Sequence, residues 1–154
     1  MDKSYHILLA DDDDDDCMFF REALEALHLS TNLTFVNDGE ALMQLFIGNM
    51  EKLPDVLFLD LNMPRKNGFD CLMEIKKDQK LKEIPVVIIS TSYDQAIADK
   101  LYITGASYYI KKPIGFSQLQ ELISIAIERI TEKYIIRPEK EHFLLKEGMN
   151  LKNI

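Results

Sequence analysis

Short apolar runs alternate with amphipathic segments along most of the chain. Five such runs predict β-strands, and their nearly continuous apolar character is typical of a parallel sheet that is covered on both faces. The predicted strands are Ile7–Ala10, Leu33–Val36, Val56–Leu59, Ile84–Ile89 and Ser107–Ile110. Each is followed by a segment in which apolar residues recur at helical spacing.

These following segments predict five helices. Their markers, in chain order, are Cys17, Phe20, Leu24 and Leu27; Leu42, Leu45 and Phe46; Cys71, Leu72 and Ile75; the segment Asp94–Thr104; and Leu119, Leu122, Ile123, Ala126, Ile127 and Ile130. We expect the second helix to end at Gly48 and Asn49 and the fourth at Gly105. Ser117 and Gln120 predict a capping box at the start of the last helix.

This alternation predicts an α/β fold with a mostly parallel sheet and helices on both faces. For five strands we expect the flavodoxin-like order 2-1-3-4-5. The length of 154 residues suits one domain with a substantial core, which we place at residues 1–130. Residues 131–154 are charged and interrupted by Pro138, and we expect a tail or helix extension there, with no separate output domain. This segment would pack back, extend the last helix or mediate association.

Charge and composition narrow the function further. The formal net charge of −8 argues against nonspecific binding to nucleic acid, although six negative charges lie in the single run Asp11–Asp16. The apolar run from His6 to Ala10 is too short for a signal peptide or a membrane span, and so we expect a cytoplasmic protein without membrane contact. Cys17 and Cys71 have no CxxC spacing, which is typical of reduced, packed thiols.

Polar side chains follow four predicted strands at the points where the strands end. The acidic run follows strand 1, Asp60 ends strand 3, Ser90 ends strand 4 and Lys112 lies just after strand 5. In the order 2-1-3-4-5 these strands are neighbours, and ligands of open α/β sheets bind beyond the carboxyl ends of the strands. Each residue alone has an ordinary interpretation as a turn or surface residue, so the prediction rests on their joint placement.

The acidic run has two interpretations. A solvated charge run is the commoner outcome, but these acids lie directly between a strand and a helix. We expect Asp11 and Asp12 to bind a metal ion at the strand end, and Asp13–Asp16 mainly to cap the helix or to lie near its positive N-terminal pole. Mg²⁺ prefers oxygen ligands, which Asp12, Asp60 and a backbone carbonyl near Asn62 would supply, with Asp11 bound directly or through water.

With these motifs, the chain resembles the receiver domains of two-component response regulators, especially stand-alone ones such as the chemotaxis regulator and phytochrome-associated regulators. The resemblance covers about Tyr5 to Ile130. It rests on the acid pair after strand 1, Asp60–Pro64 with Gly68 following, the hydroxyl at the end of strand 4 and Gly105–Pro113. Together these motifs are highly specific.

The resemblance implies that Asp60 accepts a phosphoryl group. It also implies that Asp11 and Asp12 are the metal-binding acids and that the main-chain carbonyl of Asn62 joins the metal shell, with Mg²⁺ as the cofactor. A carboxylate nucleophile of this kind forms an aspartyl phosphate. The expected protein is a phosphoacceptor switch rather than an enzyme, with autophosphorylation from a phosphodonor and autodephosphorylation as its only chemistry.

The remaining matches concern the switch itself. Ser90 corresponds to the switch hydroxyl, which would hydrogen-bond a phosphoryl oxygen, and Tyr109 to the switch aromatic, which would move inward as space is vacated. Lys112 corresponds to the lysine of the family motif, and its bond to Pro113 is implied to be cis. These movements would alter the surface formed by helix 4, strand 5 and helix 5.

The expected partners are a sensor histidine kinase or phosphotransfer protein upstream and an effector protein downstream. A homodimer through helix 4, strand 5 and helix 5, or through the tail, is a further expectation. Ile97, Ile103 and Ile125 are candidates for exposed apolar residues on that surface. Scattered apolar residues are also ordinary on a monomer.

Two other functions remain open from the residues. A phosphatase of the haloacid dehalogenase type also uses an aspartyl phosphate, and Asp11 with Asp13 would imitate its Asp-x-Asp pattern. That alternative lacks an acidic pair after strand 4 and leaves the strand-3 motif unexplained. The second alternative is a degenerate receiver that acts only as a binding module, or whose acids merely bind cations, but every expected chemical group is present in this sequence.

Overall fold

In the part of the chain that the structure describes, five parallel strands form one sheet in the order β2-β1-β3-β4-β5, as the alternation of runs predicted. We describe residues 3–48 and 52–148 from a computed structural model of the chain. The strands are β1 (Ser4–Ala10), β2 (Ser30–Val36), β3 (Val56–Asp60), β4 (Val86–Ser90) and β5 (Tyr108–Lys111). β4 begins later than its apolar run because Pro85 has no N–H to donate to a sheet.

Within residues 3–48 and 52–148, five α-helices connect and follow the strands, also as predicted. They are α1 (Asp14–Glu25), α2 (Gly39–Ile47), α3 (Gly68–Lys77), α4 (Gln95–Thr104) and α5 (Phe116–Thr131), with one-turn 3₁₀ helices at Leu81–Glu83 and Lys140–His142. Gly48 is the C-cap of α2, and Gly105 ends α4 at a φ of 122° that favours glycine. Asn49, the other residue predicted at the end of α2, lies outside the described residues.

Side chains cap the start of four helices. Asp13, Asp38, Asn67 and Asp94 each accept a hydrogen bond from the backbone N–H three residues later, at the starts of α1, α2, α3 and α4. Such a cap satisfies one of the N–H groups that have no partner inside the helix. The chain therefore leaves the ends of β1, β2, β3 and β4 in a fixed direction. Polar residues predicted above lie at the ends of β1, β3 and β4.

The capping box predicted for the last helix is absent. Gly115 occupies the N-cap position of α5, and Ser117 lies inside the first turn. The serine pattern placed the cap two residues too late, because Phe116 and Ser117 already have helical backbone geometry. Local sequence matches to capping patterns are weak predictors where tertiary contacts decide the helix start.

The sheet separates two apolar layers. α1 and α5 pack on one face, where Phe20 and Ile123 join Ile7, Phe58 and other strand residues in a buried cluster. α2, α3 and α4 pack on the other face, where Leu42, Leu72 and Leu101 belong to the second cluster. Burial on both faces explains why the central strands have nearly continuous apolar sequences.

The segment after α5 packs back on the sheet. The backbone turns at Tyr134, whose φ is 58°, and the chain then runs beside α4 and β5 to Leu145. Ile125, which the sequence suggested as an exposed residue, is buried in the same cluster as Leu145 from this returning segment. That expectation was wrong because the covering residues follow 20 positions later, which helical periodicity does not reveal. Ile97 and Ile103 are exposed as expected.

Cys17 and Cys71 are buried and unbonded to each other, in α1 and α3. Burial raises the pKa of the Cys17 thiol to about 12 and that of Cys71 to about 11, so both remain protonated, weakly reactive groups at neutral pH. Within the described ranges, no helix has the length and apolar character that crossing a membrane requires.

Candidate functional site

The loop after β1 places two acids at the carboxyl edge of the sheet. Asp11 is the first residue beyond the strand, and its N–H donates to the carbonyl of Val36 at 3.1 Å, which continues the pairing with β2. Its side chain is 2% exposed and accepts from the N–H of Asp13 at 3.0 Å. Asp12 is exposed beside it. One acid is therefore fixed and buried, while the next faces the solvent.

Asp60 is the last residue of β3 and is 4% exposed. Its Oδ1 accepts from the N–H of Asn62 at 3.3 Å, and this contact turns the chain away from the sheet. The N–H of Gly68 donates to the Leu61 carbonyl at 3.0 Å and closes the loop. The carboxylate is thus attached to a buried central strand and is oriented by a short loop on one side.

Gly68 allows α3 to start directly against this loop. A Cβ at this position would lie 2.2 Å from the carbonyl oxygen of Asp60 and 2.9 Å from the Cα of Leu61. Both obstacles are backbone atoms, which cannot rotate away. Glycine is required here by space, and its position eight residues after Asp60 is part of the geometry that holds the acid.

Three carboxylates converge at this edge. Ligand oxygens of Asp11, Asp12 and Asp60 all lie within 4.8 Å of one another. A set of carboxylate oxygens suits a hard divalent cation such as Mg²⁺, which usually retains several waters and takes few protein ligands. The donor set therefore fits the cation predicted from the sequence, and the exposed Asp12 side is open for water.

Lys112 provides the positive charge among these acids. Its Nζ lies 2.7 Å from Asp11 Oδ2, 2.8 Å from Asp16 Oδ2 and 3.6 Å from Asp60 Oδ2. Its N–H donates to the carbonyl of Ser90 at 2.7 Å, which fixes the loop after β5 against the end of β4. Burial alone would lower the pKa of Lys112, but hydrogen bonds with Asp11 and Asp16 raise it above its ordinary value, so the ammonium stays charged.

Burial and the neighbouring Asp11 raise the pKa of Asp60 from 3.8 to about 7, although Lys112 acts in the opposite direction. A carboxylate in this position loses hydration and faces a like charge, and both effects disfavour ionisation. A cation bound between the acids would favour the ionised form. Binding of metal and loss of the Asp60 proton are therefore linked near neutral pH.

Ser90 and Tyr109 lie on neighbouring strands, two residues apart in register, near the carboxyl edge of the sheet. Ser90 ends β4 and is fully buried, and its Oγ accepts from the N–H of Ser92 at 3.4 Å. The hydroxyl of Tyr109 donates to the Ser92 carbonyl at 2.5 Å, and the Tyr109 ring packs edge-on against Tyr93 with centroids 5.1 Å apart. Tyr109 is 1% exposed, so its ring already occupies an inward position.

The structure gathers the predicted residues at the carboxyl ends of four neighbouring strands. In β3, β4 and β5 the register pairs Asp60 with Ile89 and Ser90 with Lys111, so the polar residues occupy adjacent rows. Asp13 caps α1, as expected for the later acids of the run. All peptide bonds of the described residues are trans, however, including Lys112–Pro113. The implied cis bond is not present, and the small energy difference between the isomers leaves this choice to local packing.

Asp16 is the site residue that the sequence reasoning missed. It was assigned a local role in the helix, but its carboxylate contacts Lys112 across 96 positions of the chain. Its position in the first turn of α1, five residues after Asp11, was the available indication. That indication was lost among six consecutive acids, of which any would suit a helix N-terminus.

Comparison with known proteins identifies the family. The response regulator receiver domain family matches residues 7–124. The response regulator Rcp1 from Synechocystis is 32% identical over 133 residues, covering 81% of this chain and 90% of Rcp1. A probable methanogenesis regulatory protein, FilR2 from Methanothrix harundinacea, is 30% identical over 137 residues, covering 87% of this chain and 86% of FilR2. The chain belongs to the response regulator receiver domain family.

Solved structures agree in fold and in class. The phosphorylated cyanobacterial phytochrome response regulator RcpA has a TM-score of 0.74 and 33% identity, covering 86% of this chain and 96% of that chain. The Mn²⁺-bound form of Rcp1 has a TM-score of 0.75 and 30% identity, covering 82% and 97%. The chain is thus a receiver domain homologous to stand-alone response regulators, and receiver domains act as phosphoacceptor switches in two-component signalling.

Family membership and geometry together remove the phosphatase alternative. Its Asp-x-Asp pattern would need Asp13 in the site, but Asp13 caps α1 through the N–H of Asp16. The strand-3 motif that this alternative left unexplained holds Asp60 within the acid cluster. A divalent cation at an acidic cluster is also consistent with the Mn²⁺-bound form of Rcp1.

Proposed function

We propose that this protein is a single-domain response regulator that accepts a phosphoryl group on Asp60 and thereby switches its interactions with other proteins. The domain would comprise residues 1–130, and residues 131–154 would form its tail. The observation that carries the proposal is the convergence of three carboxylates within 4.8 Å of one another, with Lys112 Nζ 3.6 Å from Asp60. The protein would act in the cytoplasm, between a histidine kinase or phosphotransfer protein and an effector.

The cofactor in this proposal is Mg²⁺, held by Asp11, Asp12, Asp60 and the main-chain carbonyl of Asn62. When bound, the cation supplies positive charge that offsets the negative charge of the transferring phosphoryl group. The support is the all-oxygen donor set and its partly exposed side, which suits a cation that retains water. Asp11 and Asp12 would bind and orient the cation, while Asp60 would both bind the cation and react with the phosphoryl group.

Asp60 is the nucleophile. One carboxylate oxygen attacks the phosphorus of a phosphohistidine, an oxygen–phosphorus bond forms, and the nitrogen–phosphorus bond breaks with its electron pair left on the histidine nitrogen. Lys112 lies close enough to contact the transferred group, because its Nζ is already within 3.6 Å of Asp60. Attack of water on the phosphorus of the acyl phosphate later releases inorganic phosphate and regenerates the carboxylate. Autophosphorylation from a small phosphodonor and this hydrolysis would be the only reactions.

Ser90 and Tyr109 transmit the change. The Ser90 hydroxyl would donate to a phosphoryl oxygen, since Ser90 ends β4 one residue beyond Ile89, which is paired with Asp60. Tyr109 contacts the loop after Ser90 through its hydroxyl, so a shift of that loop reaches the ring directly. The surface of α4, β5 and α5 would then differ between the two states.

The experiment is incubation with acetyl phosphate and Mg²⁺, followed by intact mass measurement. We expect one phosphoryl group on the wild-type protein and none on Asp60→Asn. Asp15→Asn is the matched control, because Asp15 is an exposed acid of the same run. A phosphoryl group that persists in Asp60→Asn, or an unmodified wild-type protein, would exclude the proposal.

The proposal also includes a homodimer through α4, β5 and α5 or through the tail. Ile97 and Ile103 support it, since they are 48% and 76% exposed on α4. Native mass spectrometry with and without phosphodonor tests this part separately. A monomer in both states excludes the dimer and leaves phosphorylation of Asp60 unaffected.

A further inference from the structure

The segment that returns over the sheet is attached to α4 and β5 by many specific contacts. We call residues 135–145 the strap. At its start, the N–H of Ile135 donates to the Arg129 carbonyl at 2.8 Å, and the Ile135 carbonyl accepts from the Tyr108 hydroxyl at 2.7 Å. Two bonds from opposite sides therefore fix Ile135 between α5 and β5.

The middle of the strap is attached to α4. Arg137 donates to the carbonyls of Tyr102 and Ala106 at 2.5 and 3.2 Å, and its guanidinium lies 3.8 Å from the centre of the Tyr102 ring. The Tyr102 hydroxyl donates to the Pro138 carbonyl at 2.7 Å. Lys140 Nζ lies 3.1 Å from Asp99. These contacts attach the strap to the C-terminal end of α4 and to the turn that follows it.

The end of the strap adds to the sheet. The backbone N–H of Tyr109 donates to the Phe143 carbonyl, and the Tyr109 carbonyl accepts from the N–H of Leu145, each at 2.9 Å. Leu144 thereby forms a parallel bridge with Tyr109. β5 would otherwise expose these backbone groups as an edge strand. The residue on which the strap closes is thus the switch aromatic itself.

Side chains complete this attachment. Phe143 is 3% exposed, and its ring centre lies 6.2 Å from that of Tyr109 and 5.4 Å from that of Tyr102. Tyr109 is therefore enclosed on both sides, by Tyr93 and the Ser92 carbonyl towards the acids and by Phe143 towards the edge of the sheet. Movement of the Tyr109 ring out of this position would break its packing against Phe143 and its hydrogen bond to the Ser92 carbonyl.

We propose that the docked strap and the inward ring of Tyr109 stabilise each other, so that phosphorylation of Asp60 tightens the strap. This inference rests on the proposed function, because it takes the inward ring as the phosphorylated arrangement. A ligand shifts a two-state element only through contacts that differ between the states. Here the differing contact is the one between Phe143 and Tyr109. The coupling is reciprocal, so the docked strap also favours occupancy of Asp60.

The test measures backbone hydrogen exchange at Leu145 with and without beryllofluoride, a noncovalent mimic of a phosphoryl group on a carboxylate, in the presence of Mg²⁺. The Leu145 N–H reports directly on strap docking, because it donates to Tyr109. We expect its exchange to slow by roughly two- to tenfold, the range that one aromatic pair provides. Fluorine NMR of the bound beryllofluoride reports occupancy of the site independently.

Two variants assign the effect to Phe143. In Phe143→Ala the slowing should disappear, and the dissociation constant for beryllofluoride should rise by the same factor. Phe143→Leu keeps most of the apolar volume and should give an intermediate value, which serves if the alanine variant does not fold. Ile136→Ala is the matched control, because Ile136 lies in the strap with its side chain 41% exposed, and it should behave as the wild type.

The outcomes separate the two proposals. Bound beryllofluoride with unchanged or faster exchange at Leu145 overturns the coupling and leaves phosphorylation of Asp60 intact. A loss of the slowing in Ile136→Ala as large as in Phe143→Ala also overturns it. A protein that takes up neither beryllofluoride nor a phosphoryl group contradicts the proposed function, and the coupling fails with it.

Discussion

The acid cluster and the strap lie on opposite sides of Tyr109, and burial has opposite energetic effects in the two regions. The cluster buries Asp11 and Asp60 next to each other, with Lys112 as the compensating cation. The strap buries Phe143 and closes the main-chain hydrogen bonds of β5. Burial of charge costs free energy, while burial of an aromatic ring stabilises the fold.

This difference explains how the domain can keep a strained site and remain folded. The cluster sets three carboxylates, two of them buried, near Lys112, so a bound cation would offset an excess of negative charge. The strap adds apolar and hydrogen-bonded contacts at the neighbouring edge without adding charge to the site. Removing a charge from the cluster should therefore stabilise the metal-free protein, whereas removing a ring from the strap should destabilise it.

The largest expected effect is the pH dependence of Asp60→Asn. The pKa of Asp60 is raised from 3.8 to about 7 in the folded protein, so the folded state holds the proton longer than the unfolded state does. The favourable contribution is fully present below about pH 4 and is lost as the pH rises through about 7. Asparagine does not ionise. Between these limits the stability of Asp60→Asn relative to wild type should increase by roughly 4 kcal/mol, at about 1.4 kcal/mol per pKa unit.

Urea unfolding of both proteins in the presence of a chelator, at about pH 4 and about pH 8, measures this difference. Asp15→Asn is again the control and should track the wild type at both pH values. A stability difference between Asp60→Asn and wild type that does not change with pH would show that the cluster imposes no such cost.

The next effect concerns the strap. Phe143→Ala should lower the free energy of unfolding by about 3 kcal/mol, the lower end for a buried phenylalanine, because the site can partly collapse at the sheet edge. Phe35→Ala on the opposite edge strand, β2, is the matched control, since Phe35 is 37% exposed. Its loss should cost about 1 kcal/mol. Equal losses of unfolding free energy in the two variants would show that the strap-covered edge at β5 is no more stabilising than the open edge at β2.

Addition of Mg²⁺ should offset the loss of folding stability that the buried carboxylates cause. At about 100 times its dissociation constant, a ligand that binds only the folded state adds about 2.7 kcal/mol. Thermal unfolding at increasing Mg²⁺ concentration should show this increase in the wild type and a smaller one in Asp12→Asn, while Asp15→Asn should respond as the wild type. An identical response of all three proteins would place the cation elsewhere.

The smallest effect distinguishes two members of the acid run. Asp16 competes with Asp60 for Lys112 Nζ, which lies 2.8 Å from Asp16 and 3.6 Å from Asp60. Asp16→Asn should remove one of the two carboxylates that hold the ammonium most closely, while Asp11 remains at 2.7 Å, and should speed phosphorylation by acetyl phosphate several-fold. The effect is limited because a partly exposed pair is worth at most about 1 kcal/mol. Stability should change by less than that amount. A slower reaction would mean that Asp16 instead holds Lys112 in its working position.

Most of the fold could be predicted because burial on two faces leaves a strong pattern. The runs around Leu57 and Val87 are continuous, and their order along the chain limited the sheet to few topologies. The start of α5 could not be predicted in the same way. Its N-cap is Gly115, and a nearby serine offered a better local match than the true start. Helix ends depend on contacts that local patterns do not contain.

The site divides along similar lines. The sequence predicted that Asp11, Asp12, Asp60, Ser90 and Lys112 would gather at one edge of the sheet. Each lies where an apolar run ends, and parallel strands end at the same edge. Asp16 was missed because its partner lies 96 positions away. The inward position of Tyr109 and the trans bond before Pro113 likewise depend on packing around them.

By itself the sequence determined the parallel sheet, its strand order and the carboxyl edge at which the reactive groups would meet, because periodicity and chain order are local properties. Only the tertiary structure decided that Lys112 is shared among three acids and that the strap closes on Tyr109. Both arrangements join residues far apart in the chain. Their geometry depends on how closely two segments that are distant in the chain approach each other in the fold. The sequence pattern of either segment alone does not determine that distance.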